Sequence, residues 1–329
     1  MVNLKKSFIF PLKIWSSALS ISMTHQQTES FQLDQVVSWL ESQNYRITRP
    51  FTPRDSYCDA PPPPKLQKAA ILDIETTGVK LALDQIIELG IVVFEYSPET
   101  GQVYRVLETY SALEDPEIPI PDESTKIHGI TDDMVKGEKI FDSYVDNLLS
   151  DVSLVIAHNA SFDRGFIESR LPFFQSKAWA CSFTQIPWKT YGFNSLALEF
   201  LAYKSGFHFS GHRASTDCHA LLEVLQTDFP SSGLKPLKIL ADKSLTIDLK
   251  LRALRTPFES KDSLKERGYR WDVERKTWHT HLSKDAVDAE TKWLRENVYD
   301  NSVFSIEYET IDGYNRFSSR TGPLETMQY

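Results

Sequence analysis

Carboxylates at the end of a short apolar segment are the residues of this chain best suited to chemistry. Residues 69–74 are mostly apolar and predict a buried strand, which leads into the motif D-I-E-T-T-G from Asp73 to Gly78. Side chains two positions apart on a strand point to the same face, so Asp73 and Glu75 should lie side by side. Two such carboxylates repel each other unless a cation lies between them. The pair therefore indicates either a metal site or an exposed acidic strand end.

Further segments place acidic and imidazole side chains beside predicted elements. The segment H-N-A-S-F-D ends at Asp163, in the first turn of a predicted helix, and I-H-G-I-T occupies a proline-rich loop. The segment H-R-A-S-T-D runs from His212 to Asp217. These last two side chains would not share a face of one continuous helix. We therefore expect His212 to lie before the helix, or in its first turn, if both residues reach one site.

The residue types in these segments favour a particular metal chemistry. Four carboxylates and one histidine suit hard cations such as Mg²⁺ or Mn²⁺ better than zinc. Two such ions about 4 Å apart can activate a water and stabilise the leaving oxygen of a phosphodiester. A neighbouring histidine can accept the proton of that water at neutral pH. The set therefore predicts phosphodiester hydrolysis with two metal ions in each active site.

Taken together, the motifs resemble the DEDDh family of 3′→5′ exonucleases. This family includes the proofreading subunit of bacterial DNA polymerase III, exonuclease X and ribonuclease T. The motifs D-I-E-T-T-G, I-I-E-L-G, I-H-G-I-T, H-N-A-S-F-D and H-R-A-S-T-D occur in the family's order, within about residues 68–229. The resemblance implies a ribonuclease H-like fold and a 3′→5′ exonuclease activity.

The resemblance also implies a role for individual residues. His212 would be the general base, and Phe162 would lie near the site. The metal ligands would be the four acids Asp73, Glu75, Asp163 and Asp217. The turn expected to lie against the terminal nucleotide consists of Thr76, Thr77 and Gly78.

The predicted secondary structure agrees with this fold. Strands over residues 69–74, 86–96 and 103–113 come first, and later strands alternate with helices, the first of which is predicted over residues 132–149. This order predicts an α/β fold, with a ribonuclease H-like exonuclease domain over residues 68–229 built on a mixed five-stranded sheet. Residues 1–67 are expected to hold a leader, a short amphipathic helix over 30–43 and a linker with a stiff polyproline run.

The first residues of the chain need a separate interpretation. Residues 1–24 combine lysines, apolar residues and serines without an acidic residue. We interpret residues 1–22 as a poorly structured leader or as the product of an upstream start, with a targeting peptide as the alternative. The three cysteines are far apart, and no apolar stretch of membrane-spanning length is free of charge. Both observations favour a cytoplasmic protein without a membrane partner.

A second unit follows a predicted linker over residues 230–246. The pattern over residues 247–300 predicts a small α+β domain of order β-α-β-β-α, similar to the domain that follows the nuclease in exonuclease X-like proteins. Residues 301–329 are predicted to form a hairpin and a tail. We expect that deletion from about Ser244 onward leaves hydrolysis of short oligonucleotides intact and weakens binding of longer ones.

Aromatic and basic residues alternate within this second unit. Ten Lys or Arg and five Asp or Glu lie between Lys250 and Lys284, although the whole chain has a net charge of −9. Tyr269, Trp271 and Trp278 lie among these charges, which is typical of surfaces that hold single strands by base stacking. The alternative is that the tryptophans form a core, in which case the domain would serve homodimerisation or another partner contact.

The sequence therefore predicts a metal-dependent 3′→5′ exonuclease that acts on DNA and releases nucleoside 5′-monophosphates. The negative net charge argues against binding by bulk positive charge, but local patches and metal ions can still bind nucleic acid. An exoribonuclease that trims RNA 3′ ends would have the same active site, since contacts to the 2′-hydroxyl are not visible in the sequence. A polymerase-associated proofreading or binding subunit is the alternative of another class.

Overall fold

The computed structural model describes residues 25–229 and 232–329 of the 329-residue chain. The chain divides into two compact units, with the boundary after Thr48. The described part of the first unit contains helix α1 (His25–Ser42), which includes most of the predicted amphipathic helix. The leader predicted over residues 1–22 lies outside the described residues. Within the described residues, no helix has both the length and the apolar character needed to cross a membrane.

The compact unit that starts at Arg49 begins with the elements of the predicted nuclease domain. Its strands are β1 (Arg49–Pro50), β2 (Gln67–Thr76), β3 (Ile86–Tyr96), β4 (Val103–Leu113), β5 (Leu154–Ala157), β6 (Trp179–Cys181) and β7 (Phe207–His208). Its helices are α2 (Asp122–His128), α3 (Asp132–Val135), α4 (Asp142–Leu148), α5 (Ala160–Arg170), α6 (Ser182–Gln185), α7 (Leu198–Lys204), α8 (Ala214–Gln226) and α9 (Pro236–Ser244).

The main sheet of this domain has the strand order β4-β3-β2-β5-β6. Strands β2, β3 and β4 pair antiparallel, whereas β2, β5 and β6 pair parallel, which confirms the predicted mixed five-stranded sheet. Alternate side chains of β2 enter different cores. Ala69 and Ile71 pack with apolar residues of α7, α8 and α9, and Ala70 and Leu72 pack with those of α4 and α5. The sheet therefore lies between two helical layers.

The segment before β2 differs from the linker that the sequence predicts. Phe51 packs against Phe207 of β7, with ring centres 5.1 Å apart, and β1 pairs in parallel with β7. Arg54 forms an ion pair with Glu223 of α8 at 2.7 Å. Residues 49–57 therefore pack on the nuclease domain, because their aromatic and basic side chains find partners there.

The predicted linker over residues 230–246 also contains regular structure. Pro230 and Ser231 lie outside the described residues, but α9 follows closely after them. Leu237 and Leu240 of α9 are buried in the same core as the apolar face of α8. This helix therefore belongs to the nuclease core, because its apolar side chains need burial.

The C-terminal part of the chain folds around a second sheet. Its elements are β8 (Asp248–Ala253), α10 (Lys261–Glu266), β9 (Arg270–Asp272), β10 (Thr277–Ser283), α11 (Val287–Asn297), β11 (Ser305–Ile311) and β12 (Leu324–Gln328). The order β12-β11-β8-β10-β9 is antiparallel throughout. Up to residue 300 the elements follow the predicted β-α-β-β-α order. Residues 301–329, expected as a separate hairpin and tail, contribute two strands to this same sheet.

A turn after β11 joins the C-terminal sheet to the nuclease domain. Arg164 of α5 is fully buried, and its guanidinium donates hydrogen bonds to the carbonyl oxygens of Gly313, Tyr314 and Arg316. It also donates to Glu168 at 2.7 Å. Arg164 directly follows Asp163, so the turn braces the helix that carries a predicted metal ligand. The structure thus argues against the expectation that the residues beyond Ser244 can be removed without affecting hydrolysis.

Candidate active site

A cavity of about 260 Å³ opens where β2, α5 and α8 meet. The five residues expected to carry the chemistry all line it, together with Phe162. The complete lining consists of Asp73, Ile74, Glu75, His158, Asn159, Phe162, Asp163, Leu198, Glu199, His212 and Asp217. The structure therefore brings together residues that are up to 144 positions apart, from Asp73 to Asp217.

Close packing of α8 on the main sheet brings Asp217 to the end of β2. Asp73 pairs across β2 and β3 with Gly90. A β-carbon on Gly90 would lie 2.4 Å from both the carbonyl carbon of Ala214 and the amide nitrogen of Ser215. The first turn of α8 thus rests directly on the backbone of β3, which only glycine permits. Asp73 and Glu75 lie on this face of the sheet, so they meet Asp217 there.

Three of the carboxylates form a compact group. Asp73, Glu75 and Asp217 each offer an oxygen, and these oxygens lie within 4.8 Å of one another. Asp163 is buried beside them, but it comes from α5 on the opposite side of the sheet and is not part of this group of three. Oxygen donors at this spacing fit a hard divalent cation. The donor set therefore agrees with the predicted Mg²⁺ or Mn²⁺ site.

The electrostatics of the four acids point to the same chemistry. Burial, followed by repulsion from Asp217 and Glu88, raises the pKa of Glu75 to about 8. Burial raises the pKa of Asp163 to about 7 and that of Asp217 to about 6. Burial and the neighbouring carboxylates also raise the pKa of Asp73 well above its usual range. Ionised together they would repel strongly, and a bound cation removes that cost.

His212 lies at the mouth of the cavity, two residues before α8 begins. This position meets the condition that His212 and Asp217 reach one site. Its backbone is left-handed, with φ of 67°. Its Nε2 lies 4.0 Å from Oε1 of Glu199, and both side chains are about half exposed. A β-carbon on the preceding Gly211 would come within 2.9 Å of that same Glu199 oxygen, so this loop and the Glu199 side chain approach each other closely.

Two acidic residues near the site were not singled out by their sequence pattern. Glu199 lies in the first turn of α7 and faces His212 across the cavity. Glu88, in the I-I-E-L-G motif, is almost completely buried and accepts hydrogen bonds from the Arg213 side chain and the Ala214 amide. Glu88 therefore fixes the start of α8. The I-I-E-L-G motif was the signal available for Glu88. Glu199 belongs to no motif and lies inside residues 194–205, whose pattern predicts a helix.

The side chains of the turn after Glu75 form hydrogen bonds within their own loop. Thr76, Thr77 and Gly78 do not line the cavity. The Thr77 hydroxyl donates to Asp84 at 3.2 Å, and the Thr76 hydroxyl donates to the carbonyl oxygen of Gly78. These bonds fix the turn, and its contact with a terminal nucleotide stays a prediction.

The three aromatic residues predicted to contact nucleic acid differ in their environments. Tyr269 is buried in the C-terminal core, and its hydroxyl donates to Glu290 at 3.0 Å, so it has no free face for a base. Trp278 also lies largely in this core. Trp271 is 46% exposed on the neighbouring strand. The structure therefore removes Tyr269 from the set, because the α10–α11 layer covers it.

Comparisons with known proteins agree with this geometry. Residues 70–225 match the family model described as Exonuclease (RNase_T). DNA polymerase III subunit epsilon of Treponema pallidum is 30% identical over 164 residues, which cover 47% of this chain and 73% of the relative. The chain belongs to this exonuclease family. Its acid set and order of motifs correspond to the DEDD-type members of this family.

The chain spans only a small part of the PolC-type relatives that it matches. DNA polymerase III PolC-type of Clostridium perfringens is 30% identical over 191 residues, which span 55% of this chain and 13% of the relative. Among solved structures, exonuclease X in complex with 5′ overhanging duplex DNA is 26% identical. That match covers 53% of this chain and 98% of the other, with a TM-score of 0.39.

Proposed function

We propose that this protein removes nucleotides from the 3′ end of DNA and releases nucleoside 5′-monophosphates. The observation that carries this proposal is the convergence of Asp73, Glu75, Asp163, Asp217 and His212 on one cavity. Names of the polymerase III relatives support DNA rather than RNA as the substrate. The preference for DNA, the cytoplasmic location and the choice between Mg²⁺ and Mn²⁺ are parts of the proposal.

The acids act in this proposal as a cation-binding set. Asp73, Glu75 and Asp217 would hold the ions together with Asp163, which approaches from the other side of β2. Two bound divalent cations would activate the attacking water and stabilise the leaving 3′-oxygen. The carboxylates must be ionised to bind, and their raised pKa values make this binding stronger as the pH rises.

His212 acts as the general base in this proposal. Its imidazole stands at the cavity mouth, where a water approaching the acids would pass its proton to a ring nitrogen. The Glu199 carboxylate lies 4.0 Å from its Nε2 across the cavity. The hydrogen bonds of Glu88 with Arg213 and Ala214 hold the start of α8 and thereby fix the positions of His212 and Asp217 relative to each other.

The experiment that tests this function is a digest of labelled oligonucleotides. Matched DNA and RNA strands, labelled at the 5′ or the 3′ end, are incubated with Mg²⁺, Mn²⁺ or EDTA. We expect a ladder of shortened 5′-labelled DNA and immediate release of mononucleotide from 3′-labelled DNA, with no reaction in EDTA. Faster digestion of RNA would make the protein an exoribonuclease, and 5′-end release would contradict the proposed polarity.

A pair of isosteric variants provides the control. Asp73→Asn removes a charged ligand while keeping the side-chain shape, and we expect it to abolish hydrolysis. Asp151→Asn changes an exposed carboxylate that pairs with Lys68 away from the cavity, and it should digest DNA at the native rate. An active Asp73→Asn protein would show that this acid set does not carry the reaction.

A further inference from the structure

An aromatic pocket lies at one edge of the C-terminal sheet, apart from the acidic cavity. It has a volume of about 270 Å³, and its lining includes Arg255, Phe258, Lys261, Trp271, Lys276 and Trp278. Trp271 on β9 pairs directly with Trp278 on β10. Their ring centres are 5.4 Å apart, with the planes at 63°. The buried ring of Trp278 therefore packs against the ring of Trp271, which is 46% exposed.

Exposed aromatic surface and free positive charge meet in this pocket. Phe258 is 74% exposed, and the ammonium of Lys261 lies 4.2 Å from its ring centre. Of the described residues that line the pocket, none carries a carboxylate. Arg255, Lys261 and Lys276 form no ion pair with any residue in the described part of the chain. The pocket thus offers aromatic faces and three unneutralised cations.

We infer that this pocket holds a single-stranded stretch of the nucleic acid on which the enzyme acts. Bases of a single strand stack on exposed aromatic rings, and the phosphates between them pair with neighbouring cations. Bases within a duplex are already stacked on each other and cannot use Trp271 in this way. The inference rests on the proposed function, to which it adds a second binding site and a substrate with a single-stranded segment.

Charge complementarity favours nucleic acid over a purely apolar partner. The three cations surround an aromatic surface in a chain of net charge −9, so positive charge is concentrated locally. An acidic peptide with an aromatic side chain has similar chemistry, and it enters the test as the competing outcome. The two partners differ in how strongly their binding depends on the regularly spaced phosphates of a nucleic-acid strand. This is measured as the dependence of the binding affinity on salt concentration.

Binding is measured with the full-length protein and a fluorescein-labelled oligothymidylate of about 20 nucleotides, in EDTA so that no hydrolysis occurs. We expect Trp271→Ala to weaken binding about 5- to 150-fold. Trp271→Phe, which keeps an aromatic face, should restore most of the affinity. Trp278 is unsuitable for this test because it belongs to the core.

The contribution of the cations is measured by the salt dependence of binding. Lys261→Ala/Lys276→Ala should make the plot of log affinity against log salt shallower by about 1.4, since two phosphates of a single strand lose their partners. Lys265→Ala is the matched control. It changes another lysine of α10 that lies outside the pocket and pairs with Asp262, and it should leave the slope unchanged.

A separate substrate distinguishes this inference from the proposed function. The p-nitrophenyl ester of thymidine 5′-monophosphate reaches the acidic cavity without a strand, so Trp271→Ala should hydrolyse it at the native rate. Failure of the native protein to hydrolyse the ester and oligonucleotides contradicts the proposed function. Native hydrolysis with unchanged oligothymidylate binding by Trp271→Ala contradicts only the inference. If Trp271→Ala loses binding of an Asp- and Phe-containing peptide but binds oligothymidylate like the native protein, the pocket serves a protein partner. That result would overturn the inference.

Discussion

Replacing Arg164 by methionine tests whether the C-terminal turn supports the active-site helix. Methionine keeps much of the side-chain volume but removes the guanidinium. The change deletes the hydrogen bonds to Glu168 and to the carbonyl oxygens of Gly313, Tyr314 and Arg316. Removing one partner of a buried ion pair costs about 3–5 kcal/mol, because the other charge stays buried.

The remaining contacts place the expected cost at the lower end of that range. Glu168 keeps the hydroxyl of Ser318 and the guanidinium of Arg320 as donors. The carbonyl oxygen of Gly313 keeps the amide of Trp179, and that of Tyr314 keeps Arg320. The carbonyl oxygen of Arg316 accepts from Arg164 at 2.6 Å, and no other donor among the described residues replaces that hydrogen bond. We therefore expect the free energy of unfolding to fall by about 3 kcal/mol.

The assay is urea denaturation followed by circular dichroism, with nuclease activity measured on a short oligonucleotide. The matched control is Arg170→Met on the same helix. Arg170 is more exposed, and its pairs with Glu114 and Asp142 should contribute only about 1 kcal/mol. If Arg164→Met is no less stable than Arg170→Met and equally active, the turn does not support α5. A chain that ends after Ile311 should also lose activity on short oligonucleotides.

Three further outcomes follow from the site. His212→Ala should lower kcat by about 10²- to 10⁴-fold, with oligonucleotide binding in EDTA unchanged in a fluorescence assay; an unchanged kcat would assign the base elsewhere. Gly90→Ala should displace α8 and abolish the increase in Tm on adding Mg²⁺, because its β-carbon would meet Ala214 at 2.4 Å. In metal-free protein the raised pKa of Glu75, about 8, favours folding at low pH, and this contribution disappears as the pH rises through 8. Mg²⁺ should therefore raise the Tm more at pH 8 than at pH 5, and an equal rise at both pH values would contradict this electrostatic account.

The sequence predicts the fold best where burial is continuous along a segment. The predicted bounds of β3 and β4 coincide with the observed ones, since both are long strands with clear turn signals around them. The helix predicted over residues 132–149 instead breaks into α3 and α4. Between them, the amide of Gly137 donates to Asp115 in a distant loop. A contact of that kind is not visible in local periodicity.

The C-terminal hairpin shows the same limit. Asp312 and Gly313 predict a tight turn into a strand over residues 314–318. Instead, the Asp312 carboxylate accepts hydrogen bonds from the amides of Tyr314 and Asn315, and β11 pairs with the later strand β12. Arg164 holds the intervening turn from 150 positions away, which the sequence alone does not indicate.

The candidate site was predictable to the extent that each residue belongs to a local motif. Asp73, Asp163, His212 and Asp217 each stand in a short recognisable segment, so their types and order were sufficient. Glu199 was missed because only the loop before α8 brings it near His212, 13 positions further along the chain. Such a pair depends on tertiary geometry.

The buried guanidinium of Arg164 also has a consequence for biosynthesis. Its carbonyl partner on Tyr314 is synthesised 150 residues after it. During translation, the helix bearing Asp163 therefore emerges from the ribosome long before the segment that completes its packing. A nascent or prematurely terminated chain would leave this charge without its backbone acceptors and keep the helix loose. Activity that degrades nucleic acid would then arise only after synthesis has passed this turn, and incomplete products would be open to proteolysis.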